Sequence, residues 1–205
     1  MSKKYEIKAI IFDFGNVLVI DGQKAFEKMF KLDELPKWKR NRYEAATHVT
    51  ERGKKPIGYM LTAIKESFDL DLTTQEIKEL LFCSEPVQPM LDLLHELREQ
   101  SGLKVAILTN NQKGGPEEFI KKLNIDIKGV KIFNSVFIGS RKPQKAPYLF
   151  ALKELGAKPE ETIFIDDKKI NVEAANKIGI KGIVFDGNMR KLLSELKKFG
   201  IQVRI

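Results

Sequence analysis

The chain has 205 residues, 42% of them hydrophobic and 31% charged, which is the composition of a soluble globular protein with room for one domain and a sizeable insertion. No apolar run approaches the roughly 18 residues of a membrane span, Met-Ser-Lys-Lys running directly into a strand leads us to expect no signal peptide, and the lone Cys83 excludes an intramolecular disulfide and argues against a cysteine-built metal site. The formal charge of +8 is interleaved with acids along the whole chain, so it reads as solvated surface, with no nucleic-acid or membrane partner expected and a reducing cytoplasm as the expected compartment.

The first element is Ala9-Ile10-Ile11-Phe12, an apolar run closed by the turn Phe14-Gly15-Asn16, which predicts a buried parallel strand ending at Asp13. Val17-Leu18-Val19 then resumes the apolar pattern. Helix-period apolar positions follow over 24–32, 36–46, 57–68 and 75–82, and Thr73-Thr74 before Gln75-Glu76 is a capping start. No stretch between Asp21 and Pro86 reads as a buried strand. This segment is expected to form an α-helical cap with Phe26, Met29 and Phe30 in its core.

Pro86 and Pro89 punctuate the exit into a helix over 90–100, with Leu91, Leu94 and Leu97 on one face. Strands are expected at 104–109, 135–138, 162–165 and 182–185, separated by helices at 116–123, 146–155 and 170–178. A last amphipathic helix over 189–199 docks Leu192, Leu193, Leu196 and Phe199 on the sheet. Repeated βα units of this kind imply an α/β fold with a doubly wound parallel sheet. Residues 1–21 and 87–205 would form that core, and residues 22–86 the inserted cap.

Asp13, Thr109, Lys142, Asp166 and Asp167 all fall at or just past the carboxyl ends of the expected strands, the rim where open α/β sheets bind ligands. Carboxylates with little nitrogen or sulfur nearby suit Mg²⁺. A lysine and a threonine hydroxyl suit a tetrahedral dianion, and a cation beside one free carboxylate oxygen would let Asp13 attack phosphorus.

Four segments carry a family resemblance: Phe12-Asp13-Phe14-Gly15-Asn16-Val17-Leu18, Leu108-Thr109-Asn110, Gly139-Ser140-Arg141-Lys142-Pro143, and Phe164-Ile165-Asp166-Asp167 followed by Asn171. With these the chain resembles the haloacid dehalogenase-like (HAD) hydrolases over nearly its full length. It is most similar to the helical-cap group with an Asp-x-Gly-Asn first motif, which includes sugar-phosphate phosphatases. The resemblance implies a Rossmann-like core and hydrolysis of a small phosphorylated metabolite by a monomer or homodimer. Asp13 would be the nucleophile, forming an aspartyl-phosphate, and would also bind Mg²⁺. Gly15 would offer its backbone carbonyl to the metal, Thr109 and the Asn110 backbone would hold phosphoryl oxygens, and Lys142 would bridge Asp13 and phosphate. Asp167 would touch the metal, with Asp166 acting through Lys142 or a metal-bound water; the division between these two stays open.

One position departs from the family pattern. Most of its phosphatases carry an acid–base Asp two residues after the nucleophile, where this chain has Gly15. General acid–base catalysis is worth about 10²–10⁴-fold. Asp21 could replace it only if its loop folds back. Two alternatives follow: a 2-haloacid dehalogenase, which also lacks that Asp, or a low-activity module that binds a phosphometabolite or a protein. A dehalogenase needs no metal, which would leave Asp166-Asp167 as bare repulsion beside Asp13. In the cap, Arg52 and His48 are either substrate contacts or surface, and Trp38 and Tyr43 either line the entrance or pack inside. His95 is expected on the surface.

Overall fold

A computed structural model describes residues 6–204; the Met-Ser-Lys-Lys lead-in lies outside them. In chain order the first elements are β1 (Ala9–Phe12), β2 (Val19–Ile20), α1 (Gly22–Met29), α2 (Lys37–Glu51), α3 (Ile57–Ser67), α4 (Thr74–Leu81) and β3 (Glu85–Pro86). Then follow α5 (Gln88–Arg98), β4 (Lys104–Thr109), α6 (Gly115–Lys122), β5 (Lys131–Asn134), α7 (Ser135–Ile138) and α8 (Lys145–Leu155). The last are β6 (Thr162–Asp166), α9 (Lys169–Asn176), β7 (Lys181–Val184) and α10 (Met189–Lys198).

Five strands form one parallel sheet in the order β5-β4-β1-β6-β7. Side chains alternate across it, as strand geometry requires. Ile10, Phe12, Ile107 and Ile165 enter one core with Leu94 of α5 and Leu196 of α10. Ala9, Ile11, Leu108 and Phe164 enter the other with Tyr148 and Leu152 of α8. Burial on both faces explains why β1 and β6 read as unbroken apolar runs. The sheet is doubly wound, with β4 and β5 on one side of β1 and β6 and β7 on the other. The topological switch therefore lies at the carboxyl end of β1.

Residues between β2 and β3 carry four α-helices. Thr73 and Glu76 close a reciprocal capping box at the start of α4. Phe26, Phe30, Tyr43 and Phe68 form an aromatic cluster, with Phe26 and Phe30 ring centroids 4.5 Å apart and Phe26 meeting Phe68 edge-on at 5.3 Å. Met29, expected among them, is 63% exposed, because α1 turns its Phe26 face inward. Trp38 is also exposed. The insertion is tied off by β2 pairing antiparallel with β3.

The strand expected at 135–138 is instead the one-turn helix α7, and the edge strand β5 precedes it. Local capping decides this: the Asn134 side chain accepts from Val136 N at 3.2 Å, and Gly139 ends the turn at φ 74°. Phe137 consequently faces solvent. Helix α2 also runs five residues past the expected end at 46, to Glu51, because no Gly or Pro interrupts the chain before Gly53. Among the described residues no helix is long and apolar enough to cross a membrane.

Leu94 is fully buried, whereas Trp38 is 62% exposed. Leu94→Ala is therefore expected to cost about 2–5 kcal/mol and Trp38→Ala less than about 0.5 kcal/mol. The urea unfolding midpoints of the two variants check this ordering.

Candidate active site

Parallel pairing sets the site. Phe12 stands beside Ile165, so the next residues, Asp13 and Asp166, emerge side by side. The Asp13 N–H donates to the Ile165 carbonyl at 2.8 Å. Both carboxylates are buried, and Lys142 Nζ stands 2.7 Å from Asp13 Oδ1 and 2.7 Å from Asp166 Oδ2. Burial, reinforced by Asp166, pushes the Asp13 carboxyl up to about 7 against the opposing pull of Lys142 and the Phe14 N–H. Burial acts downward on Lys142, but Asp13 and Asp166 outweigh it and hold its ammonium above the ordinary lysine range.

Lys142 is positioned by its own backbone. The Asn110 side chain accepts from Lys142 N at 2.8 Å and donates to the Lys142 carbonyl at 2.9 Å. Asn110 thus offers a side-chain clamp in addition to the backbone that the resemblance singled out. Thr109, at the tip of β4, is buried and lines the same cleft.

The two neighbouring aspartates have different surroundings. Asp166 Oδ1 accepts from Lys168 N at 2.8 Å and Asn171 Nδ2 at 3.0 Å, while Oδ2 accepts from Asn171 at 3.0 Å and from Lys142. Asn171 is steadied by the Tyr148 hydroxyl, which donates to its carbonyl at 2.9 Å. Among the described residues, Asp167 Oδ1 is buried with no hydrogen-bond partner, and the one ion-pair partner of its Oδ2 is Lys24 Nζ at 3.7 Å. An unpartnered buried carboxylate oxygen costs free energy that a cation would recover. One oxygen from each of Asp13, Asp166 and Asp167 can lie within 4.8 Å of the others. An all-oxygen donor set of this kind fits Mg²⁺.

The turn after Asp13 folds tightly: Leu18 N and Val19 N both donate to the Phe14 carbonyl, and Asn16 takes φ 56°, a left-handed conformation that Asn tolerates. This brings the following residues back over Gly15. A Cβ placed on Gly15 would lie 3.3 Å from Asp21 Cγ and closer still to Oδ2. Asp21 also caps α1, accepting from Lys24 N at 3.3 Å. Burial raises its carboxyl above the ordinary range.

Helices α1 and α2 complete the walls. The cleft over Asp13 has a volume of ≈ 50 Å³, and a second one of ≈ 50 Å³ adjoins it, sharing Asp21, Gln23 and Glu51 and walled by Met60, Phe82 and Phe119. Gln23 Nε2 is held by the Tyr43 hydroxyl at 2.8 Å and by Glu27 at 3.0 Å. Glu51 Oε2 accepts from Arg141 Nε at 2.5 Å, and its carbonyl accepts from Ser135 Oγ at 2.6 Å, which fastens the end of α2 to the core. Larger hollows of ≈ 580 and ≈ 640 Å³ lie elsewhere, the first at the amino ends of β1 and β4, and neither gathers comparable chemistry.

Asp13, Gly15, Thr109, Asn110, Lys142 and Asp167 all line the cleft, with Asp166 buried directly behind it. Arg52 does not: its Nε donates to the His48 carbonyl at 3.0 Å, and His48, pushed down to about 4 by burial and then by Arg141, lies outside it too. His95 is half-buried and meets the Asp126 carbonyl at 2.8 Å. Tyr43 is buried inside the helical cluster. Gln23, Glu51 and Lys168 line the cleft without having been expected there. Lys168 had one available signal, its place directly after the aspartate pair.

A family model for haloacid dehalogenase-like hydrolase matches residues 7–179. A sesquiterpene phosphatase of Aspergillus oryzae is 29% identical over 187 residues, covering 86% of this chain and 88% of the relative. A D-ribitol-5-phosphate phosphatase of Bacteroides thetaiotaomicron is 26% identical over 185 residues, covering 85% and 90%. Some other matches are confined to part of the relative, down to 10% of its length. The crystal structure of a HAD-family enzyme from Bacteroides thetaiotaomicron aligns with TM-score 0.73 at 23% identity, covering 92% of this chain and 98% of the other. That enzyme has also been solved with magnesium and inorganic phosphate.

Lys142→Ala would leave Asp13 and Asp166 facing each other in a buried site without their shared cation. Removing one partner of a buried ion pair costs about 3–5 kcal/mol. Urea denaturation in the absence of divalent ions is expected to show that loss, and Asp166→Asn added to Lys142→Ala should recover part of it.

Proposed function

We propose that this chain, which belongs to the haloacid dehalogenase-like hydrolase family, is a magnesium-dependent phosphatase that hydrolyses a small phosphomonoester through a phosphorylated Asp13. The observation that carries the reading is the unequal treatment of the carboxylates. Asp166 is saturated by hydrogen bonds, whereas Asp167 offers a buried oxygen with no partner, beside Asp13.

In this reading Asp13 Oδ1 is fixed by Lys142 and the Phe14 N–H, which leaves Oδ2 to attack phosphorus as the bond to the leaving oxygen breaks. Lys142 neutralises the approach of carboxylate to phosphate. Thr109 and the Asn110 backbone N–H hold the phosphoryl oxygens. Asp13, Asp167 and the Gly15 carbonyl would hold Mg²⁺, with Asp166 orienting Lys142; the ion would supply charge stabilisation for the transferring phosphoryl group. Water then releases phosphate from Asp13.

Relatives named for phosphorylated substrates, matched over most of their length, support a phosphomonoester. The aspartate pair beside Asp13 favours phosphoryl transfer over halide displacement, because three adjacent carboxylates call for a cation. The small clefts support a small metabolite.

Purified protein is expected to hydrolyse p-nitrophenyl phosphate with magnesium and not with EDTA, and Asp13→Asn to abolish turnover. Undiminished activity in that variant would remove the nucleophile. Lys142→Ala should raise KM and lower kcat together; a change in KM alone would contradict its role.

Metal binding has a separate readout in thermal unfolding. Magnesium at a hundred times its Kd is expected to stabilise the protein by about 2.7 kcal/mol, and Asp167→Asn to remove most of that shift.

A further inference from the structure

Hydrolysis of an ordinary alkyl phosphate needs a proton for the departing oxygen, and position 15 is a glycine that cannot give one. Two carboxylates outside the group of Asp13, Asp166 and Asp167 line the cleft: Asp21 and Glu51. Glu51 is committed elsewhere, its Oε2 bonded to Arg141 Nε at 2.5 Å. Asp21 is differently placed. Its Oδ1 takes one long bond from Lys24 N at 3.3 Å, and its Oδ2 takes none from any described residue.

The position of that Oδ2 is informative. It stands where a side chain on residue 15 would begin, close enough that even a Cβ there would overlap it. The glycine at 15 and the carboxylate of 21 are therefore one steric arrangement. The chain folds back through Asn16 and β2, and a carboxylate from eight residues beyond the nucleophile fills the volume that a side chain two residues beyond it would have occupied.

We infer that Asp21 is the acid–base residue of this site, an inference that rests on the phosphatase reading above. In the first half-reaction the Asp13 Oδ2–phosphorus bond forms while the phosphorus–oxygen bond to the leaving group breaks. Asp21 gives its proton to that oxygen, and the alcohol departs. In the second half-reaction water attacks phosphorus and gives a proton to the Asp21 carboxylate. The bond to Asp13 breaks with its electron pair returning to the aspartate, and phosphate is released. The sum is phosphomonoester and water to alcohol and phosphate.

Asp21→Asn separates this role from helix capping, since Asn caps a helix as well as Asp does. Rapid-mixing measurements would follow wild type and variant on p-nitrophenyl phosphate, whose leaving group needs little protonation, and on glycerol phosphate, whose leaving group needs it. With glycerol phosphate, transfer to Asp13 is expected to fall about 10²–10⁴-fold. With p-nitrophenyl phosphate, a burst of p-nitrophenolate should persist at near wild-type rate, followed by slow turnover because water has lost its base. The unfolding midpoint should not move.

Moving the carboxylate back, in Gly15→Asp with Asp21→Gly, should recover at least about tenfold over Asp21→Gly alone. Wild-type turnover of glycerol phosphate by Asp21→Asn would overturn the inference, and so would equal losses of the phosphorylation step on both substrates. If wild-type protein with magnesium turns over neither substrate, the phosphatase reading fails first and the inference falls with it.

Discussion

One ammonium group sits between two carboxylates that the sheet itself forces together. The register of β1 and β6 gives Asp13 and Asp166 no alternative to adjacency, and burial in a low-dielectric rim would make two neighbouring anions untenable. Lys142 Nζ, at 2.7 Å from each, relieves this. With Asp167 included, and with Lys24 and Lys168 also close to it, Lys142 stands beside three clustered carboxylates. A divalent cation would balance them, which links the electrostatics of the empty protein to the chemistry proposed for the loaded one.

Everything around that ammonium serves its placement. Asn110 grips the Lys142 backbone at both its N–H and its carbonyl, and Asn171, itself held by Tyr148, occupies both oxygens of Asp166. These residues stand on strand ends and on the helices packed behind them, where position is rigidly determined. The segment between β2 and β3 contributes a different kind of residue: Asp21, Gln23 and Glu51 line the adjoining cleft. The aspartate–lysine cluster and Glu51 thus come from separate stretches of chain, joined where Arg141 and Ser135 hold Glu51.

The central strands were legible because both their faces are buried, which writes them as continuous apolar runs ending in a polar residue at the rim: Phe12 then Asp13, Leu108 then Thr109, Ile165 then Asp166. The edge strand β5 has no such run. Lys131 is exposed and Ile132 half-buried, so the apolar triplet Val136-Phe137-Ile138 drew the strand reading away from it. Asp13 and the aspartate pair could be found from strand ends alone, whereas Lys142 follows the helix α7 and was marked by the segment Gly139-Ser140-Arg141-Lys142-Pro143. Glu51 could not, since its position depends on α2 outlasting its apolar periodicity and on Arg141, 90 residues away. Gln23 likewise depends on Tyr43 from another helix. The return of Asp21 over Gly15 required knowing that Asn16 turns left-handed and that β2 pairs with residues beyond the whole insertion.

That last pairing gives the site two parts of unequal permanence. The strand that ends at Asp13 is hydrogen-bonded on both sides, to β4 and to β6, which places its amides among those expected to exchange most slowly with solvent. Asp21 hangs from a ribbon only two residues long, whose other half, Glu85–Pro86, is exposed. One carboxylate of the cleft is thereby rooted in the middle of the sheet and the other in a short antiparallel ribbon at its margin.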